Sequence, residues 1–452
     1  MLPSLTYGGD RLRLFAISLV VLIAAYVIWK ITQSPNQALQ FTFNGLSVGA
    51  VYALLAMGFT IVYSTVWFFD LYYGAAAALG AYGVFYLMYQ YTLGGLYHVN
   101  IIYVNVLFAV IVTVVVAWGL NVAFRGRLRK SRNPNVLRGG LAALAGAAGV
   151  YTGFVLAYPE YMNVMLAPVV GALTAFAVFY VLHKIYRQLF DDSNIAPFLL
   201  PTLAVCGALG AWAGYLLADA PAAKLYLTWA VSTLLAGTVG LALYRGLYVY
   251  MRQRARSPLI MLVASLGILL AISAFIIIVF QSTARPLPDP FGVVPWTLGG
   301  ANIKPFNIFT IGVAVVGFAG LWMLLQKTSF GRAARAIGDD EEVSKVVGIN
   351  TTVIIAIVFF IGAAFAAMAG ILSGHDTSIQ PRMGLLLLLK GWVASVVGGI
   401  GNLYGAIVGG FALGMIEQFG IWDLAGEWKD AISFVVLILF LSFWPNGLLP
   451  RK

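Results

Sequence analysis

Between Phe43 and Tyr63 the chain carries no charged side chain. About 20 such residues is the length an α-helix needs to cross roughly 30 Å of hydrocarbon. Residues 14 to 32 and 431 to 446 repeat the pattern with almost no charge. In lipid the backbone amides find no water, so a spanning chain is either a helix bundle or a closed barrel. Barrel strands alternate in hydrophobicity along their length, and these runs do not. Composition points the same way. The 452 residues are 61% hydrophobic and 10% charged, whereas a soluble domain carries about a quarter charged residues. The expected fold class is all-α, a polytopic transmembrane helix bundle.

Spans are expected near 14 to 32, 43 to 63, 69 to 90, 102 to 124, 140 to 157, 164 to 183, 196 to 218, 226 to 244, 258 to 281, 306 to 326, 351 to 373 and 431 to 446. Segments 384 to 400 and 402 to 419 are short and Gly-rich. They read either as two thin spans or as a re-entrant hairpin, giving about 12 to 14 membrane segments in all. The first run follows Arg11 and Arg13 but has no small-x-small cleavage site before Lys30, so it reads as a retained helix. The formal charge of +11 follows membrane topology and is no nucleic-acid footprint. With alternating spans, only Lys30, Lys224, Arg285, Lys304, Arg382, Lys390 and Lys429 of the 27 basic residues fall outside or in the nearby membrane. The remainder, among them the cluster from Arg125 to Arg138, lie at inner ends, so both termini are expected to be cytoplasmic.

Several chemistries are excluded. There is no G-x-x-x-x-G-K-[ST] loop to cradle nucleotide phosphates, so ATP power would have to come from a partner. Cys206 is the single cysteine, His98, His183 and His375 are far apart, and no H-E-x-x-H or C-x-x-C pair exists. No enzyme site, metal or cofactor is expected. Asp70, Lys390 and Glu417 are the ionisable residues near or within apolar segments, and such residues are candidates for a solute path because burying them is expensive. The long outer loop, roughly 282 to 305, carries Pro286, Pro288, Pro290 and Pro295, which argue against regular structure there.

Residues 327 to 350 form an amphipathic stretch between two spans on the positive side, with small Ala333, Ala334 and Ala336 and a helix-breaking Gly348. Its sequence, F-G-R-A-A-R-A-I-G-D-D-E-E-V-S-K-V-V-G-I-N from Phe330, closely resembles the coupling segment of permeases in ABC importers of the branched-chain amino acid, LivH-like, family. Three further passages agree in order: Asn44 to Tyr63; Gly362 to Gly370 with K-G-W-V-A-S-V-V-G-G-I-G-N-L-Y-G-A-I-V-G-G from Lys390; and the closing F-W-P-N-G-L-L-P. The resemblance implies a bacterial inner-membrane permease subunit that works with cytoplasmic ABC ATPase subunits, a second permease subunit, identical or not, and an extracytoplasmic solute-binding protein. Its solutes would be branched-chain amino acids or related small polar molecules such as urea and amides. It further implies that Gly331, Arg332, Arg335, Asp339, Glu341 and Gly348 belong to the segment that docks on the ATPase. Broken helices would line the solute path, with Asn44, Gly45, Gly398, Gly399, Gly401 and Asn402 as candidates; glycine packing between helices is the alternative reading.

Two departures stand out. Where the family usually reads N-F-A-H-G, this chain has Asp70-Leu71-Tyr72-Tyr73-Gly74, so a carboxylate and a phenol replace an amide and an imidazole. Residues 125 to 224 match nothing in the usual permease and read as inserted helices, either a duplicated helix pair, a peripheral lipid-facing addition or a partner-docking element. A rival reading is an ATP-independent channel or ion-coupled secondary transporter that uses Asp70 and Glu417.

Overall fold

The computed structural model describes residues 18, 25–89, 101–130, 133–189, 196–254, 258–292 and 294–449. Arg11, Arg13, His98, Arg132, Arg256, Arg451 and Lys452 lie outside the described residues. Among the described residues nine helices are long and apolar enough to cross a membrane, and two shorter apolar helices accompany them. The chain is an all-α polytopic membrane protein. Two compact units make it up, one of residues 1–82 with 232–452, the other of residues 83–231.

In the larger unit α1 (residues 25–33) gives way after Ser34 to α2 (Pro35–Val66). Proline suits the first helical position because the amide it lacks would have no partner there. The expected span at 43 to 63 is thus only the middle of a 32-residue helix. At 1.5 Å per residue such a helix is about 48 Å long, more than the hydrocarbon is thick. It ends at Trp67, whose φ of 56° turns the chain out of the helix.

Helix α2 is central because its sequence keeps one face small. Gly45, Gly49 and Ala53 recur every fourth residue, as do Gly410 and Gly414 on α17 (Leu403–Gly420), and the two stripes interlock. A Cβ built on Gly414 would stand 2.4 Å from the Cα of Gly49. Without a hydrophobic drive between helices in lipid, such close approach supplies the packing energy. Helices α12 (Pro305–Lys327), α15 (Thr351–Asp376) and α16 (Met383–Gly398) also pack on α2.

The short Gly-rich pair is a helical hairpin of α16 and α17. Gly399 at φ 114° and Gly401 at φ 84° make the turn, and Asn402 caps α17 by accepting from the Tyr404 amide at 3.0 Å. Breaking the chain there orphans carbonyls at the end of α16. The segment after α18 (Trp428–Phe443) satisfies them: the amides of Leu448 and Leu449 donate to the carbonyls of Val397 and Gly398 at 2.9 and 2.8 Å. Helices α16, α17 and α18 therefore run antiparallel to their chain neighbours, each about 24 to 27 Å long.

The loop from 282 to 305 is more regular than its prolines suggest. After the last proline, β1 (Trp296–Leu298) and β2 (Ala301–Ile303) form an antiparallel hairpin around Gly299 and Gly300, both at positive φ. Arg285 and Ile379 form a two-residue bridge nearby.

The smaller unit contains two close helix pairs, α4 (Ile101–Ala123) with α6 (Pro134–Ala157), and α7 (Met162–Leu189) with α8 (Ala196–Ala218). Small residues again set the contact, Gly171 lying against Gly210 and Ala167 against Gly214. The outward faces expose Val106, Val110, Val114, Leu173 and Phe176, which suits lipid and not water.

Candidate functional site

A cavity of about 490 Å³ opens in the larger unit among α2, α12, α15, α16, α17 and α18, within the range typical of small-molecule sites. Polar groups reach it from otherwise apolar helices: Asn44, Ser47 and Tyr52 from α2, Asn307 and Thr310 from α12, Asp376 from α15, Lys390 from α16 and Gln418 from α17. A second hollow of about 540 Å³, lined by Leu54, Phe309, Val313, Val316, Phe365 and Met368 with Thr233, gives a polar solute little to bind.

In the cavity lining Lys390 Nζ lies 2.8 Å from Asp430 Oδ1, and 2.9 Å from Oε1 of Glu417 behind it. Glu417 is fully buried. It also accepts hydrogen bonds from the Tyr52 hydroxyl at 2.7 Å and from the Ser433 hydroxyl, so its oxygens are supplied with donors, as a buried carboxylate requires. The Lys390 ammonium stands 5.4 Å from the centre of the Tyr52 ring, adding a cation–π contact. On the cavity wall Asn307 Nδ2 donates to Asn44 Oδ1 at 2.9 Å, while Asn307 Oδ1 is buried with no partner.

Of the residues singled out from the sequence, Asn44, Lys390 and Glu417 come together here. Asp70 and Tyr73 do not. Asp70 is buried in a separate cluster, where its Oδ1 accepts from the Tyr248 hydroxyl at 2.7 Å and from the Tyr72 amide at 3.0 Å. Tyr73 packs its ring against Gly362. Gly45 abuts Met415 of α17, and Gly398 abuts Gly405 across the hairpin, so both serve helix packing. Gly399, Gly401 and Asn402 form the hairpin turn at the end of α16 remote from the cavity. Tyr52, Asn307, Gln418, Asp430 and Ser433 are not among the sequence candidates, which are the ionisable residues of apolar runs, Tyr73 and the Gly and Asn residues of expected helix breaks. An Asn in the first turn of a span, or a Tyr four residues from Val48 on a polar face with Asn44, was the available signal.

The segment 327 to 350 is two helices rather than one, α13 (Ser329–Asp339) and α14 (Glu341–Val346). Thr328 caps the first by accepting from the Gly331 amide at 3.2 Å, and Asp340 caps the second by accepting from the Val343 amide at 3.0 Å. Such caps supply acceptors to otherwise unpaired amides. Gly348 at φ 93° ends α14. Gly331 is buried so tightly against Leu325 that a Cβ there would stand 2.0 Å from its carbonyl oxygen. Arg335 folds back and donates to that same carbonyl at 2.6 Å. Glu341 is paired with Arg252 of α10 (Val249–Arg254) and with Lys345 at 3.2 Å. The hydrogen bond from Lys345 to Glu342 holds the lysine above its ordinary pKa. Arg335 and Glu341 thus brace the segment internally, while Arg332, Asp339 and the side chains of Val343, Val346 and Val347 lie on its exposed surface.

The chain matches the family model described as branched-chain amino acid transport system / permease component over residues 202–441. That match begins inside the stretch 125 to 224. Over 238 residues the chain is 32% identical to the high-affinity branched-chain amino acid transport system permease protein BraD of Pseudomonas aeruginosa, covering 52% of this chain and 77% of that one. It is 33% identical over 223 residues to the permease protein LivH of Escherichia coli, covering 48% of this chain and 71% of that one. A probable LivH of Methanocaldococcus jannaschii is 26% identical over 238 residues, covering 49% and 74%. No solved structure matches the chain.

Proposed function

We propose, for a chain that belongs to the permease-component family of branched-chain amino acid transport systems, how its parts divide the work of an ABC importer. As the permease subunit it provides the membrane path for branched-chain amino acids and hydrolyses no ATP itself. The carrying observation is the polar cavity, where a half-buried ammonium meets a buried carboxylate among helices otherwise made for lipid. A zwitterion crossing hydrocarbon needs such groups, because each of its charges is costly to strip of water.

The cavity and the segment of α13 and α14 sit at opposite ends of α15, which is about 39 Å long for its 26 residues. Helix α2 joins the same two levels, with Asn44 and Tyr52 at the cavity and Trp67 against α13. ATPase subunits dock on the exposed face of α13 and α14, led by Arg332, Val343, Val346 and Val347. Their closure moves the segment, and α2 and α15 carry that displacement to the cavity. The docked contacts must differ between the two states for ATP to shift the equilibrium. An extracytoplasmic binding protein delivers the solute beside the β1–β2 hairpin, and a second permease subunit completes the membrane pair. The assembly resides in the inner membrane.

Uptake of radiolabelled leucine into cells that express this chain with and without an ATPase subunit tests the reading. Leucine accumulation is expected only when both are present. Accumulation without the ATPase that collapses with the proton gradient would refute it.

A further inference from the structure

The two carboxylates that share Lys390 are not equivalent. Glu417 is 0% exposed and has Tyr52 and Ser433 as additional donors, which makes it a fixed counter-ion. The Asp430 side chain is 52% exposed, and Lys390 is its one ion-pair partner among the described residues. Asn307, which lines the same cavity, is only 4% exposed, and its Oδ1 has no partner. A buried acceptor left empty calls for an explanation, since native structures rarely tolerate one.

We propose that this cavity recognises an α-amino-acid zwitterion, the solute's carboxylate taking the place of Asp430 on Lys390 and its ammonium donating to Asn307 Oδ1. The inference rests on the permease reading and adds the residues that select the solute. Exchange of one carboxylate for another keeps the Lys390 ammonium compensated before, during and after binding, so no buried charge is ever left alone. Displaced Asp430 lies beside water and recovers its hydration. The neighbouring Glu417 prevents Lys390 from following the solute carboxylate out of the site. A urea or a neutral amide carries no anion to compete with Asp430, so Lys390 stays closed to it. Specificity for the zwitterion over neutral amides thus arises from an internal competitor and not from cavity size.

The test is displacement of labelled L-leucine from the full-length chain in lipid nanodiscs by L-leucine, leucinamide, isovalerate and urea. Leucine is expected to compete best, isovalerate next because it keeps the carboxylate, and leucinamide and urea least. Asp430→Asn removes the competitor and will tighten leucine binding about two- to fivefold, the weight of a part-exposed ion pair. Asn307→Leu will weaken leucine about tenfold, the cost of one charge-assisted hydrogen bond, and leave isovalerate unchanged. Lys390→Gln will lose binding and Lys390→Arg, which keeps the charge beside Glu417, will retain it; equal helical content by circular dichroism in the two variants excludes misfolding as the cause. Equal competition by leucinamide or urea overturns the inference. So does weaker leucine binding by Asp430→Asn, or no leucine binding by the unaltered chain. None of these touches the permease reading, which fails separately if deleting this chain leaves leucine uptake unchanged.

Discussion

The indole Nε1–H of Trp67 donates a 2.6 Å hydrogen bond to the carbonyl oxygen of Gly338. Trp67 closes α2, and Gly338 sits in the last turn of α13, where helix carbonyls lack partners of their own. The bond therefore ties the helix that lines the cavity to the segment assigned to ATPase docking. Trp67→Phe removes the donor and keeps the ring, which packs 5.7 Å from that of Tyr63. Leucine uptake per ATP hydrolysed is expected to fall about fivefold, the weight of one hydrogen bond of roughly 1 kcal/mol. An unchanged ratio would show that the link is idle.

Two glycines of α13 admit a sharper test. A Cβ on Gly338 would lie 2.1 Å from the Ser64 carbonyl oxygen, and one on Gly331 would lie 2.0 Å from that of Leu325. Backbone atoms cannot swing aside as a side chain does, so Gly338→Ala and Gly331→Ala will each destabilise the chain by about 1 to 3 kcal/mol. Gly320→Ala on α12 serves as the reference, since a Cβ there meets nothing within 4 Å. Thermal unfolding in detergent will rank both contact variants below it. Equal midpoints for all three would contradict the packing.

The sequence made the membrane fold legible because lipid allows few solutions and each leaves a long apolar run. It made the segment 327 to 350 legible as an interruption of the spans because charge, small residues and Gly348 break those runs there. Other features depended on distance in space. Residues 35 to 42 hold Asn36, Gln37 and Gln40, which look like a loop, yet α2 runs through them, with Asn36 and Leu39 against Gly300 and Gly299 of the β1–β2 hairpin. The glycines of the G-G-I-G turn have the same spacing whether they line a path or close a turn, and only the carbonyl contacts with Leu448 and Leu449 distinguish the two. Asp430 reads as an ordinary interfacial charge until α18 brings it 2.8 Å from a lysine forty residues earlier on another helix. Asp70 announces itself by charge alone, but a tyrosine hydroxyl and a backbone amide occupy its Oδ1 away from the cavity.

Glu341 offers a case where sequence resemblance and geometry pull apart. The resemblance places it among docking residues, whereas its carboxylate pairs with Arg252 and Lys345 within this chain. If bracing is its role, Glu341→Gln and Arg252→Gln will lower stability by similar amounts, and the double variant will lose little more. The pairwise energy expected from a double-mutant cycle is about 0.5 to 1 kcal/mol, because both groups keep partial access to water. Uptake that falls much further in Glu341→Gln than in Arg252→Gln would instead point to a partner contact.

The exposed valines that close α14 make the strongest claim on a partner surface. Val346 is 87% exposed and Val347 75%, beyond the ends of the apolar spans and beside charged Glu342 and Lys345. Lipid does not account for them as it accounts for the outward faces of α4 and α7, since the flanking residues are charged. Covering both would remove a few tens of Å² of apolar surface each, worth about 1 kcal/mol or more apiece. Val346→Glu changes nothing that the folded chain packs against, so insertion and thermal unfolding will match the unaltered protein. Copurification of the ATPase subunit is expected to drop by about tenfold, because the new carboxylate would be buried without a partner at the interface. Undiminished copurification would move the docking face to the Arg332 side of α13.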